Sequence, residues 1–222
     1  MVDFATQRKN MVEGQVRPSD ITDRRIIRAM LDLPRETFCP PSQRATAYRD
    51  EMLAMNDVQS ARPRYTTAPR TLAKMIQALE LGDNDTVLEI GSGTGYGAAI
   101  LSTMAAKVIA VEPDNALATL ARANLKATAA SNVTVIEGDS ATGHAPGAPY
   151  DAILVNGAAA DISRILLDQL KDGGRLVAVV SNGSFGHLTV WRRLGGTFDA
   201  QVLSDAAAPA LAGFAKSAQF VF

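Results

Sequence analysis

Val87-Leu88-Glu89-Ile90-Gly91-Ser92-Gly93-Thr94-Gly95-Tyr96-Gly97 decides the fold of this 222-residue chain. An apolar run reads as a strand and passes into a turn with a glycine at every second position. The segment that follows reads as a helix. Glycines spaced in this way let a backbone turn tightly and come close to a ligand. The helix start offers unpaired N–H groups and a positive dipole end to an anion. Residues 89–97 are therefore expected to bind a nucleoside-bearing cofactor, with Glu89, Gly91, Ser92, Gly93 and Gly95 in contact with it.

Working outward, apolar strands are expected at 86–90, 107–112, 133–137, 151–156 and 174–180. Helical segments at 95–105, 114–129 and 160–170 lie between them. Such alternation builds a Rossmann-like, mostly parallel α/β sheet wound on both faces, which binds ligands at the carboxyl ends of its strands. Segments 188–194 and 217–222 read as two more strands. Paired as an edge hairpin they bring the sheet to seven strands, one of them antiparallel. Ahead of the sheet, residues 3–50 read as mostly helical. Ile26, Ile27, Met30 and Leu31 recur at helical spacing, Thr22 or Asp23 can cap the start, and Pro34 ends the helix. Residues 51–68 read as irregular, and 69–81 as a helix with Pro69 in its first turn. The expected division is a helical annex and substrate-side loop at 1–68, part of one domain with a cofactor-binding core at 69–222.

Composition narrows the function. Apolar residues make up 47%, enough for a full core, and 22 basic against 23 acidic residues give a net charge of −1. No overall field favours nucleic acid or a membrane surface. No stretch reaches the ~18 apolar residues that span a bilayer, and the first residues lack a signal-peptide pattern. The lone cysteine, Cys39, excludes an intrachain disulfide and reads as a packing residue. A cytoplasmic protein is expected. His, Cys and carboxylates show no ligand spacing, so no metal site is expected. Oligomeric state is not legible.

Three further carboxylate positions bear on the cofactor. The glycine spacing is G-x-G-x-G rather than the G-x-G-x-x-G of dinucleotide folds. This is the turn common in S-adenosylmethionine methyltransferases, and Glu89 ahead of it can face the cofactor's ammonium group. Glu112 ends strand two, where an acid can accept from both ribose hydroxyls, a device that NAD enzymes share. Asp114 reads as the cap of the next helix. Asp139 ends strand three and can accept from an adenine amino group, or is an ordinary polar strand end. Taken in order, these residues favour S-adenosylmethionine, with S-adenosylhomocysteine as product.

With these residues in place, the chain resembles the protein-L-isoaspartate O-methyltransferases over roughly residues 11 to 194. Pro34-Arg35-Glu36-Thr37-Phe38-Cys39-Pro40 is similar to the family's P-R-x-x-F-x-P. Residues 87–96 match its V-L-E-I-G-[ST]-G-[ST]-G-Y. Gln169-Leu170-Lys171-Asp172-Gly173-Gly174-Arg175-Leu176 is similar to its Q-L-x-x-G-G-R-L. The resemblance implies methyl transfer from S-adenosylmethionine to the α-carboxylate of isoaspartyl residues in aged proteins. Those proteins are the implied partners, and the ester returns to a normal aspartyl linkage through a succinimide. The sequence departs from the family's G-x-G-Q-T-I-S-x-P. Anchored on Pro69, Thr67 takes the place of its serine, which implies the catalytic positioning role. Thr66 and Arg64 are assigned to the substrate. Asn156-Gly157-Ala158 stands where the family has T-A-A, and Asn156 is counted with the cofactor residues.

A carboxylate is already nucleophilic at neutral pH, so positioning outweighs general base catalysis. His144 and His187 are not expected at the site. The alternative for Thr67 is an N-cap for the helix at Pro69. Alternatives for the whole chain are a diverged methyltransferase with another substrate, a cofactor-binding module without turnover and, more distantly, a dehydrogenase. Residues 205–214 can cover the active site or form a subunit contact.

Overall fold

The computed structural model describes residues 3–56, 63–181 and 185–214. Helices α1 (Phe4–Met11) and α2 (Arg24–Asp32) precede α3 (Pro69–Ala78), and α4 (Tyr96–Ser102), α5 (Asn115–Ala127) and α6 (Arg164–Leu167) follow. Strands β1 (Thr86–Ile90), β2 (Lys107–Glu112), β3 (Val133–Glu137), β4 (Tyr150–Ala159), β5 (Leu170–Ser181), β6 (Gly186–Leu194) and β7 (Thr197–Asp205) form one sheet. Its order is β3-β2-β1-β4-β5-β6-β7. The β1–β2, β1–β4, β2–β3 and β4–β5 pairs are parallel, and β6 runs antiparallel to both its neighbours. The expected Rossmann-like α/β class and the seven strands hold.

The strand order reverses at β1 and β4. From β1 the chain steps to β2 and β3 on one side, and β4 begins the other side. A crevice opens at such a switch point, beyond the carboxyl ends of the strands. Successive residues of a strand face opposite sides. Val87 accordingly joins the core with the annex, α3, α4 and α5, whereas Leu88 and Ile90 join the core with α6 and the 205–214 segment. Ile26, Ile27 and Met30 of α2 lie in the same core as Val87. Asp23 caps α2 through the Arg25 N–H at 2.8 Å, and Asp114 caps α5 through the Leu117 N–H at 3.1 Å.

Two expectations about elements need correction. The partner of β6 is β7 at Thr197–Asp205, while 217–222 lies outside the described residues. Gly195 and Gly196, with φ of 55° and 92°, make the two-residue turn that joins them. Such turns need positive φ at both positions. The outer strand was hidden because it is mostly exposed, and its polar residues give no apolar alternation. The helix expected at 160–170 shrinks to Arg164–Leu167. The Gln169 carbonyl accepts from the Tyr150 N–H at 2.8 Å, and Leu170 pairs with Tyr150. The sheet thus claims the end of that segment.

The annex is tied to the cofactor turn. Arg35 is fully buried and donates to the Ala47 carbonyl at 2.8 Å and the Thr67 carbonyl at 3.3 Å. Its guanidinium lies 4.7 Å from the ring centre of Tyr96, which also meets Phe38 edge-on at 5.3 Å. Tyr96 therefore packs beneath the turn. Cys39 is buried, and burial pushes its thiol pKa up, as suits a packing residue.

Candidate functional site

The turn between β1 and α4 is held from two sides. The N–H groups of Gly91 and Ser92 donate to the Val111 carbonyl at 2.9 and 3.3 Å. Thr94 donates to the Phe38 carbonyl at 2.7 Å. Gly91, Gly93 and Gly95 have φ of 77°, 55° and 94°, values that side-chain-bearing residues rarely adopt.

Glu89 lies beneath this turn, fully buried. Its Oε1 accepts from Asn156 Nδ2 at 2.8 Å, and Asn156 Oδ1 accepts from the Thr67 hydroxyl at 2.8 Å. A chain of three side chains thus links β1, β4 and the residue two before Pro69. Gly97 makes room for it, because a Cβ there would overlap Glu89 Oε1 and come within 2.8 Å of Asn156 Nδ2. Thr67 does not cap α3. The capping position is Ala68, and no side chain takes that role.

Desolvation drives the Glu89 pKa up to about 7, the Asn156 hydrogen bond opposes this, and the charge of Glu112 adds to it. Oε2 of Glu89 and Oγ of Ser92 are buried without hydrogen-bond partners. A cationic ligand group beside Glu89 and a polar one beside Ser92 would satisfy both. These orphaned atoms, on a turn open to close backbone approach, fit the amino-acid end of S-adenosylmethionine.

Glu112 is also fully buried, but it is engaged. Arg64 grips both its oxygens, at 2.8 and 3.2 Å, while the N–H groups of Gly93 and Asp114 donate to it at 2.7 and 3.1 Å. Arg64 therefore faces the acid expected to hold ribose. Asp139 is exposed and accepts from the Ala141 N–H at 3.0 Å.

Two segments close over the turn. Leu53, Met55, Arg64 and Thr66 form a short antiparallel pairing, with the Met55 N–H donating to the Arg64 carbonyl at 2.8 Å. The Met55 side chain fills the space above Gly93, and Leu211 fills that above Gly91. Leu211 is placed by its N–H donating to the Ala158 carbonyl at 2.9 Å. The 205–214 segment thus covers the site. The remaining cavity, lined by Tyr65, Thr66, Thr67, Ser92 and Asn156 among others, measures about 20 Å³. A larger open groove of about 1110 Å³ runs alongside, past Asp50, Met52, Ala68, Arg70 and His187. The exposed Phe185 stands on its wall.

Arg35, Met55 and Leu211 were not expected at the site. Arg35 sits inside the P-R-x-x-F-x-P match and could have been found there, whereas no local pattern marks Met55 or Leu211. Among the described residues no group of His, Cys, Asp and Glu could hold a metal ion, and no helix is long and apolar enough to cross a membrane.

A seven-stranded sheet with this glycine turn, a buried acid before it and a second acid ending β2 defines the class of α/β S-adenosylmethionine-dependent methyltransferases. The family profile described as protein-L-isoaspartate(D-aspartate) O-methyltransferase matches residues 6–207. A protein-L-isoaspartate O-methyltransferase of Methanoregula boonei is 41% identical over 192 residues, 86% of each chain. One from Roseiflexus sp. is 38% identical over 219 residues, 98% of each chain. A solved protein-L-isoaspartate O-methyltransferase superposes with TM-score 0.80 at 24% identity, covering 93% of this chain and 66% of that one. A Plasmodium falciparum structure of this methyltransferase type, in complex with S-adenosyl-L-homocysteine, gives TM-score 0.77 at 19% identity, covering 95% and 99%. The two structures carry the fold, and the relatives carry the family. The chain belongs to the protein-L-isoaspartate(D-aspartate) O-methyltransferase family and is an S-adenosylmethionine-dependent methyltransferase, as its motifs imply.

The raised Glu89 pKa has a definite effect on stability. The unfolded carboxyl titrates near 4.5 and the folded one near 7, so the folded state holds the proton more tightly. Burial costs nothing extra below the lower value, and stability falls as pH rises between the two. The melting temperature of ligand-free Glu89→Gln, measured from pH 5 to 7.5, will therefore lack a decline that the parent shows. Parallel curves for the two proteins would contradict the buried, proton-holding carboxyl.

Proposed function

We propose that this chain methylates the free α-carboxylate of isoaspartyl residues in cytoplasmic proteins. The observation that carries the reading is one small cavity in which the glycine turn, the Asn156 amide above Glu89 and the hydroxyls of Thr66 and Thr67 come together. The open groove beside it is consistent with a polypeptide substrate, because it passes Ala68, next in the chain to Thr67.

S-adenosylmethionine, when bound, supplies the electrophilic methyl group. Glu89 would face its ammonium, the turn around Gly91, Ser92, Gly93 and Gly95 would hold its amino-acid end, Glu112 would take the ribose hydroxyls and Asp139 the adenine amino group. Asn156 holds the Glu89 carboxylate in place. On the substrate side, Thr66 Oγ1 already accepts from Arg35 and from the Leu53 N–H, both at 3.2 Å. Both its lone pairs are used, so its proton is the part left to give, and it donates to the substrate carboxylate. The carboxylate needs no base at neutral pH. The work of the site is alignment and the exclusion of water, to which Met55 and Leu211 contribute.

Arg64 acts from the other side. While it pairs with Glu112 the ribose acid is taken, so cofactor and Arg64 compete. The same crowding of the turn by Met55 and Leu211 favours a second reading, a cofactor-binding protein without turnover.

Methyl-labelled S-adenosylmethionine, offered with an isoaspartyl peptide and its aspartyl twin, separates the readings. Label on the isoaspartyl peptide alone is expected. Label on neither, despite cofactor binding, overturns the proposed activity. Arg64→Met leaves the buried Glu112 without its cation, held by the Gly93 and Asp114 N–H groups alone, a change that costs up to about 3–5 kcal/mol. The ligand-free variant should melt lower yet gain more degrees from S-adenosylhomocysteine than the parent does. A smaller gain would show that Arg64 helps the cofactor rather than competing with it.

A further inference from the structure

Thr66 and Thr67 follow one another in the chain and line the same cavity, but their hydroxyls have opposite hydrogen-bonding character. The cause lies in Glu89. The Asn156 amide turns its Nδ2 toward Glu89, at 2.8 Å, and once a ligand cation ionises Glu89 the carboxylate can only accept, so this orientation becomes the one allowed. That fixes the amide carbonyl toward Thr67, and the carbonyl takes the only proton of the Thr67 hydroxyl, at 2.8 Å. The missing Cβ of Gly97 leaves just enough room for this arrangement. What Thr67 can present to a ligand is lone pairs. Thr66 is the reverse, since its oxygen accepts twice and none of the described residues takes its proton.

Resting on the proposed isoaspartyl activity, we propose that Asn156 is a positioning residue that makes Thr67 an acceptor for a substrate N–H, the one on the carbon that bears the reacting carboxylate. The isoaspartyl α-carbon carries both groups, an acceptor carboxylate and a donor amide. Thr66 and Thr67 offer the complementary pair. A carboxylate set directly against Thr67 would meet lone pairs instead of a proton. The cofactor ammonium beside Glu89 reinforces the arrangement, because it keeps the carboxylate ionised and the Asn156 amide oriented. Asn156 thus transmits the presence of cofactor to the substrate side without touching the methyl group.

The test compares an isoaspartyl peptide with its analogue methylated on the isoaspartyl nitrogen, at saturating S-adenosylmethionine. The parent enzyme should lose about fivefold to tenfold in kcat/KM on this change, the value of one ordinary hydrogen bond. In Thr67→Val the parent peptide should lose a similar factor, and the two peptides should become equal. In Asn156→Ala the Thr67 hydroxyl remains but is free to rotate, so the difference between the peptides should shrink at least threefold. Where the analogue is not turned over, its inhibition constant against the parent peptide gives the same comparison. An N-methyl penalty undiminished in Thr67→Val overturns the acceptor role. A penalty undiminished in Asn156→Ala, with both peptides slowed alike, reduces Asn156 to a structural support and overturns its positioning role. Failure of the unmodified enzyme to label the parent peptide would contradict the isoaspartyl activity itself, a different outcome from either of these.

Discussion

A carboxylate buried at the centre of the sheet constrains this molecule more than any other group. Glu89 sits on the face of β1 that packs toward the annex, where an unpaired charge is costly. One oxygen is satisfied by Asn156 and the other is not. The neighbouring positions follow from it. Gly97 lacks the side chain that would overlap Glu89, Asn156 donates its amide to it, and Thr67 gives its proton inward to Asn156. A buried carboxyl with one oxygen unsatisfied costs stability rather than adding to it. Its value lies in the cation it can receive, and the family to which the chain belongs supplies one.

The elements around the turn converge from distant parts of the sequence. Arg35 and Phe38 reach it from the annex, Met55 and Arg64 from the paired segment that follows, and Leu211 from beyond the last strand. Met55, Leu211 and Arg64 cover Gly93, Gly91 and Glu112, while Arg35 and Phe38 pack on Tyr96 and the Phe38 carbonyl accepts from Thr94. The described conformation is closed, with side chains of the chain itself held against the surface where the cofactor belongs. Arg64, which grips Glu112, and Met55, which covers Gly93, are joined by the Met55 N–H donating to the Arg64 carbonyl, so one short pairing meets both the ribose end and the amino-acid end of the surface.

Much of this was legible in the sequence, for physical reasons that differ by region. Strands β1, β2 and β4 and residues 176–179 of β5 are buried on both faces and read as apolar runs, β3 keeps Val133, Val135 and Ile136 although it is partly exposed, and the glycine turn announces its own geometry. The caps at Asp23 and Asp114 are local, and so they too were readable. Strand β7 was not, because an exposed edge strand carries no apolar signature, although the Gly195-Gly196 pair marks its turn. Glu89 could be singled out as an acid ahead of a turn, but its link to Thr67 spans 22 residues of sequence on one side and crosses to β4 on the other. The pairing of Arg64 with Glu112 is likewise a product of tertiary packing. Thr67 illustrates the limit well. Its hydroxyl suits a cap before Pro69 or a substrate contact equally in the sequence, and only the position of Asn156 decides which way the proton points.

Proton release on ligand binding tests the central claim most directly. S-adenosylhomocysteine is titrated calorimetrically into the protein at pH 6 and at pH 8.5, in pairs of buffers with different ionisation heats. With a Glu89 pKa near 7 in the free protein, an ammonium arriving beside it expels the proton. The account predicts release of most of one proton at pH 6 and almost none at pH 8.5, with the release at pH 6 absent in Glu89→Gln. Binding at pH 6 with no dependence on the buffer would contradict it.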